Sequence, residues 1–156
     1  MTETIIRPAK ESDLAPLAAL GAKFYRHAKA WEFGLGFSMS DAAGTLESLI
    51  DNPDAALIVA VQDGRPVGMI GGLIGTWFVE RSQRILTELF WWLDASARMN
   101  GTARKLYEAF EDQGRKKNAR FLALIAMRGE DERLLDVYYR RWLNMKYVES
   151  HYLKEI

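Results

Sequence analysis

Two features of this sequence are built from residue types that do chemistry. The first is Glu88, a carboxylate inside the otherwise apolar run Ile85-Leu86-Thr87-Glu88-Leu89-Phe90-Trp91-Trp92-Leu93. A charge in such a strand is costly unless it is paired or used, and burial would lift its pKa toward neutrality. The plain alternative is an ion pair with a nearby Arg or Lys, or exposure at a strand bulge. The second feature is Arg98-Met99-Asn100-Gly101-Thr102-Ala103, an R-x-x-G-x-A run placed where a helix should begin. A helix N-terminus carries unpaired N–H groups and a partial positive charge, so such a turn suits a phosphate. Gly101 has no Cβ to hold a ligand off the backbone, Ala103 keeps the first turn slim, and Arg98 adds a full charge. The same residues also fit an ordinary strand-to-helix turn, because short glycine-containing motifs are common.

Both features need elements to position them. Thr4 to Arg7 reads as a short strand stopped by Pro8, and Ser12-Asp13 opens a helix running to about Ala28. Residues 30–37 alternate aromatics with glycines, which predicts an ordered loop, and Ser40-Asp41 starts a second helix ended by Asp51-Asn52-Pro53-Asp54. Ala55 to Val61 and Val67 to Val79 are strands joined by the hairpin turn Gln62-Asp63-Gly64-Arg65-Pro66. Gly68, Gly71, Gly72 and Gly75 predict bulges or close approaches in the second of these. Ile85 to Leu93 is apolar on both faces and so central in its sheet. A helix over Thr102 to Lys117, a buried strand over Arg120 to Met127 and a helix near 130–141 follow. Glu130-Asp131-Glu132 and Arg140-Arg141 complement the dipole of that last helix, and Met145 to Ile156 reads as one or two closing strands. The order predicts an α/β fold, a mixed sheet with helices on both faces.

Composition narrows the function. The chain has 156 residues, 49% hydrophobic, enough for one domain over 1–156 with a full core. Lys+Arg and Asp+Glu are equal at 21, which argues against nucleic acid as a partner. There is no cysteine, so disulfides, thiolate zinc sites and cysteine nucleophiles are excluded and a reducing cytoplasm is the default. The start Met1-Thr2-Glu3-Thr4-Ile5-Ile6-Arg7-Pro8 lacks signal-peptide character, and no apolar run reaches the ~20 residues that span a bilayer. No membrane association is expected. His27 and His151 stand alone, and no metal-ligand spacing is present.

Motif, preceding strand and element order together make the chain similar to the GNAT superfamily of N-acetyltransferases. The likeness runs from Ile5-Ile6-Arg7-Pro8-Ala9 through Tyr152-Leu153-Lys154, and is nearest to phage and prophage members, where a Glu-Leu-Phe-Trp-type strand precedes the turn as Glu88-Leu89-Phe90-Trp91 does here. The resemblance implies three α/β/α layers around a mostly antiparallel sheet whose fourth strand splays from the fifth. It implies acetyl-CoA as donor, with the main-chain amides of Met99, Asn100, Gly101, Thr102 and Ala103 on the pyrophosphate and Arg98 beside them. Pantetheine would lie in the splay like an added strand, flanked by the main chain of Trp92, Leu93 and Asp94.

The implied reaction is direct attack of an amine on the bound thioester through a tetrahedral intermediate. An alkyl amine (pKa ~10) is protonated at neutral pH, and a thiolate (conjugate acid ~8.5) leaves more easily with a proton. Glu88 is the candidate base, directly or through water. The family's acid is a tyrosine opening a Tyr-x-x-x-Gly-Phe segment. Here Tyr138-Tyr139-Arg140-Arg141-Trp142-Leu143-Asn144-Met145 puts Asn144 at the glycine and Met145 at the phenylalanine, so the match needs a one-residue insertion. Tyr139 is the chosen acid and Tyr138 the reserve; one core tyrosine beside an exposed one is the bland reading. Asn144 can still adopt a left-handed backbone. Trp31, Phe33 and Phe37 fall in the loop that lines the acceptor pocket in the family. The acceptor is a small-molecule or protein amine, and homodimers are common among such proteins. The alternative is a non-catalytic acyl-CoA-binding or protein-interaction module on the same fold.

Overall fold

A single five-stranded sheet, β1-β2-β3-β4-β5 in chain order, organises the molecule. The computed structural model describes residues 3–127, 129 and 131–156, with Asn100 described in its main chain only. The strands are β1 (Thr4–Pro8), β2 (Ala55–Gln62), β3 (Arg65–Trp77), β4 (Glu80–Leu93) and β5 (Phe121–Ala123), and the helices are α1 (Leu14–Ala28), α2 (Met39–Leu49), α3 (Thr102–Lys116) and α4 (Glu132–Val137). Three neighbouring pairs are antiparallel, and β4 with β5 is parallel. No helix among the described residues is long and apolar enough to cross a membrane.

Period-two alternation divides β2 between two cores. Leu57, Val59 and Val61 meet Leu17 and Leu20 of α1 and Leu46 and Leu49 of α2. Ala56, Ile58 and Ala60 meet Leu106 and Phe110 of α3 on the other face. Residues 55–61 are all buried, as a strand covered on both faces requires. The three expected layers are present. Asp63 and Gly64, at φ 48° and 75°, make the left-handed two-residue turn that matches strand twist.

The β3–β4 pair carries the irregularity that matters. The register passes from Gly71↔Phe90 to Gly72↔Glu88, so Leu89 is an extra residue on β4. A Cβ on Gly72 would sit 2.3 Å from the Thr87 carbonyl oxygen and 2.8 Å from the Phe110 ring. Glycine there lets the two backbones approach beside the bulge. A Cβ on Gly75 meets nothing within 4 Å, and nothing in the structure explains that glycine.

On its other side β4 pairs with β5 only at Ile85↔Phe121, Leu86↔Leu122 and Thr87↔Ala123. The strand expected over Arg120 to Met127 therefore ends at Ala123, because the chain beyond it leaves the ladder. Phe121 and Ile125 are also substantially exposed rather than buried. The closing strands expected over Met145 to Ile156 are not formed. That segment has no regular structure, and Tyr147, Val148, Tyr152 and Leu153 are exposed, so its weak alternation meets no facing sheet. The loop after α1 contains a 3-10 turn, Ala30–Phe33. Helix α4 starts at Glu132, and Glu130 lies outside the described residues.

We predict that Gly72→Ala destabilises the fold by ~1–3 kcal/mol through overpacking against fixed backbone, whereas Gly75→Ala stays within ~0.5 kcal/mol. Urea denaturation of both variants decides this; equal effects would contradict the close-approach account.

Candidate active site

Where β4 and β5 part, one main-chain unit is held from two sides. The Ile125 N–H donates to Glu88 Oε2 at 2.9 Å, and the Tyr139 hydroxyl donates to the Ile125 carbonyl at 3.1 Å. Glu88 is 4% exposed and Tyr139 9%. The structure thus brings the two expected catalytic residues to a common point, from a strand and from the segment after α4.

Glu88 forms no ion pair among the described residues; its partner there is the Ile125 N–H. Loss of solvation pushes its pKa up to about 7, and the Ile125 N–H pulls the other way more weakly. The carboxyl group is thereby poised to exchange protons near neutrality. Burial, with the nearby Glu88 charge, also raises the pKa of Tyr139. Its hydroxyl stays protonated and is fit to donate.

The irregular tyrosine segment resolves in a specific way. Helix α4 runs on into a π-helical turn, Tyr138–Trp142, closed by Leu143 N–H to Tyr138 carbonyl at 3.2 Å. A π turn takes up one extra residue, which is the insertion the sequence comparison required. Asn144 follows at φ 53°, the left-handed backbone expected of it. Tyr139 is the core member of the pair. Its ring lies parallel to Trp91 at 6.4 Å and 8°, and Trp91 also stacks near Tyr107 at 6.5 Å. Sequence reading passed over Trp91, although its position three residues after Glu88, with one bulged residue between, was the available signal.

The turn after β4 is a 3-10 segment, Ala95–Asn100, followed by Gly101 at φ 68° as the N-cap of α3. That φ favours glycine, and a Cβ there would point into open space. Glycine offers no side chain to cap the first N–H groups of a 15-residue helix, so the amides of Thr102 and Ala103 have no side-chain acceptor at the N-cap. Thr102 is 1% exposed, and its hydroxyl has no hydrogen-bond partner among the described residues. An orphaned buried hydroxyl costs about 1–3 kcal/mol, which an acceptor or water would relieve. Met99 is 88% exposed. Uncapped amides, an unmet hydroxyl and open space at Gly101 fit a bound diphosphate.

Arg98 is drawn back from that turn. Its Nε donates to the Leu93 carbonyl at 2.9 Å, and its guanidinium lies 5.3 Å from the centre of the Trp92 ring. Trp92 Nε1 donates to Asp94, which also pairs with Lys23 at 2.7 Å. Asp94 uses its own N–H on Val67 and its carbonyl on Ala97. Its role here is to organise the turn. Trp31 and Phe37 pack on Tyr25 at 5.6 and 5.4 Å, with Trp31, Phe33 and Phe37 all partly exposed.

Residues 22–143 match the model of the Acetyltransferase (GNAT) family. The chain superposes on the aminoglycoside N-acetyltransferase AAC(6')-Iy in complex with CoA at a TM-score of 0.75 and 18% identity, over 100% of this chain and 96% of that one. A ribosomal-protein-alanine N-acetyltransferase from Brucella melitensis biovar Abortus 2308 gives 0.71 at 18%, over 99% and 100%. A transcriptional regulator from Bacillus halodurans C-125 gives 0.76 at 14%, over 99% and 100%. Identities this low speak for the fold alone. No curated protein matches the sequence.

The raised Glu88 pKa has a consequence for stability. Its folded value, about 7, exceeds the 4.5 of an unburied glutamate, so ionisation opposes folding. The stability is fully present below pH ~4.5 and is lost as pH rises through 7, by about 3 kcal/mol in all. Glu88→Gln should therefore stabilise the protein at pH 8 and lose that advantage near pH 4.5. Denaturant midpoints at both pH values check this; an unchanged or opposite pH trend would rule it out.

Proposed function

The chain belongs to the GNAT family of acetyltransferases, and on that premise we propose an acetyl-CoA-dependent N-acyltransferase that modifies an amine. The observation that carries this reading is the convergence of buried Glu88 and Tyr139 on Ile125, at the mouth of the gap between β4 and β5. The amides of Met99, Asn100, Gly101, Thr102 and Ala103 hold the diphosphate of the cofactor, with Thr102 adding its hydroxyl. Trp92 and Leu93 flank the pantetheine arm, and Arg98 exchanges its bond to Leu93 for the phosphates. Acetyl-CoA supplies an activated thioester. Glu88 takes the proton of the attacking ammonium, directly or through one water, once its carboxyl is ionised. The freed amine would bond to the thioester carbonyl carbon; as the carbon–sulfur bond breaks, Tyr139 would give its proton to the sulfur and regain one from the new amide nitrogen, directly or through water, for which its hydroxyl must leave the Ile125 carbonyl.

The acceptor is an amine of a small molecule or of a protein. The exposed aromatics Trp31, Phe33 and Phe37 belong to the acceptor side in this reading. The phage-type subclass and a cytoplasmic location are part of the same proposal, resting on Glu88-Leu89-Phe90-Trp91 and on the absence of cysteine.

Acetyl-CoA at a hundredfold excess over its Kd should stabilise the protein by ~2.7 kcal/mol. Gly101→Glu, which puts a carboxylate among the amides, should abolish that gain. Thermal melts read both, and no shift in the parent protein would remove the cofactor. Thiol release across an amine panel should rise with pH through about 7 in the parent and lose that limb in Glu88→Gln. Binding without release toward any amine would leave a non-catalytic module.

A further inference from the structure

In a parallel ladder the register advances evenly, so Thr87↔Ala123 carried two residues on sets Ile125 opposite Leu89. That pairing does not form. The Ile125 N–H donates to the Glu88 side chain, which stands out from β4 by the length of its two methylenes and carboxyl group. The Ile125 carbonyl accepts from the Tyr139 hydroxyl, so both main-chain groups of Ile125 are engaged by side chains. Leu89 and Ile125 are each 42% exposed. Leu89 is also the bulged residue, so the break in β4–β5 pairing coincides with the irregularity on the β3 side. A buried carboxylate that reaches across a strand gap to hold a main-chain N–H acts as a spacer.

We propose that Glu88, with Tyr139 as its counterpart, is a positioning residue that keeps β4 and β5 apart and so maintains the slot for a linear, amide-bearing cofactor arm. This rests on the acetyl-CoA reading above and adds a second role to Glu88, separate from proton transfer. The two roles predict different variants to be tolerated. Proton transfer needs an ionisable group, whereas spacing needs only a side chain of the same reach with an oxygen acceptor. Glutamine meets the second need and not the first.

Calorimetric titration with unacetylated coenzyme A separates them, with hydrogen exchange at the Ile125 amide read by NMR on the same proteins. Glu88→Gln should bind coenzyme A within about threefold of the parent, keep the Ile125 amide protected, and lose turnover. Glu88→Ala should weaken binding at least tenfold and change exchange at Ile125 even without ligand. Tyr139→Phe, which frees the Ile125 carbonyl, should weaken binding in the same direction. Parent-like affinity in Glu88→Ala would overturn the spacer while leaving the base role intact. Equal losses of binding in Gln and Ala would also overturn it, since the acceptor would then not be what matters. Failure of the parent to bind coenzyme A would sink the slot and the cofactor reading together; unaltered Ile125 exchange in Glu88→Ala would sink the spacer alone.

Discussion

The hydrogen bond from the Ile125 N–H to the Glu88 carboxylate stands where a main-chain bond would otherwise carry the β4–β5 ladder onward. Beside it, β4 from Glu88 to Leu93 has one side of its main chain without a strand neighbour among the described residues. Water satisfies such groups in a free edge, and a ligand with its own amides can replace that water at little cost. The adjoining turn delivers the same strand end to the uncapped amides of α3. One continuous track results, from the buried Glu88 and Tyr139 to the uncapped start of α3.

Holding that arrangement costs stability. A carboxylate among apolar neighbours loses solvation, and one N–H returns only part of it, which is why the pKa of Glu88 stays near 7. The rest of the structure offsets the cost with ordinary packing. Trp91, Tyr107 and Tyr139 form an aromatic stack beneath the strand, and the two apolar cores hold β2 and β3 rigidly behind it. Gly72 contributes by allowing β3 to close on β4 beside the bulge, so that the irregular strand remains well backed.

Much of this was legible in the residues. The Asp63-Gly64 turn, the β2 strand and the amphipathic α3 are governed by local rules, and each formed as read. Glu88 stood out because its type conflicted with its neighbours. What could not be read depended on partners distant in sequence. Past the early end of β5, the Ile125 N–H is met by a side chain 37 residues away. The alternation of Met145 to Ile156 specified no strand partner, and none is present among the described residues. The tyrosine segment looked one residue out of register because a π turn has no plain sequence mark, yet that turn is what seats Tyr139 against Trp91.

The most direct test is a crystal structure with coenzyme A. The account predicts diphosphate oxygens within hydrogen-bond reach of the amides opening α3, Arg98 released from Leu93, and the pantetheine amides bonded along β4 past Glu88. A structure with those amides met by protein atoms, and residues 124–127 paired directly onto β4, would contradict it.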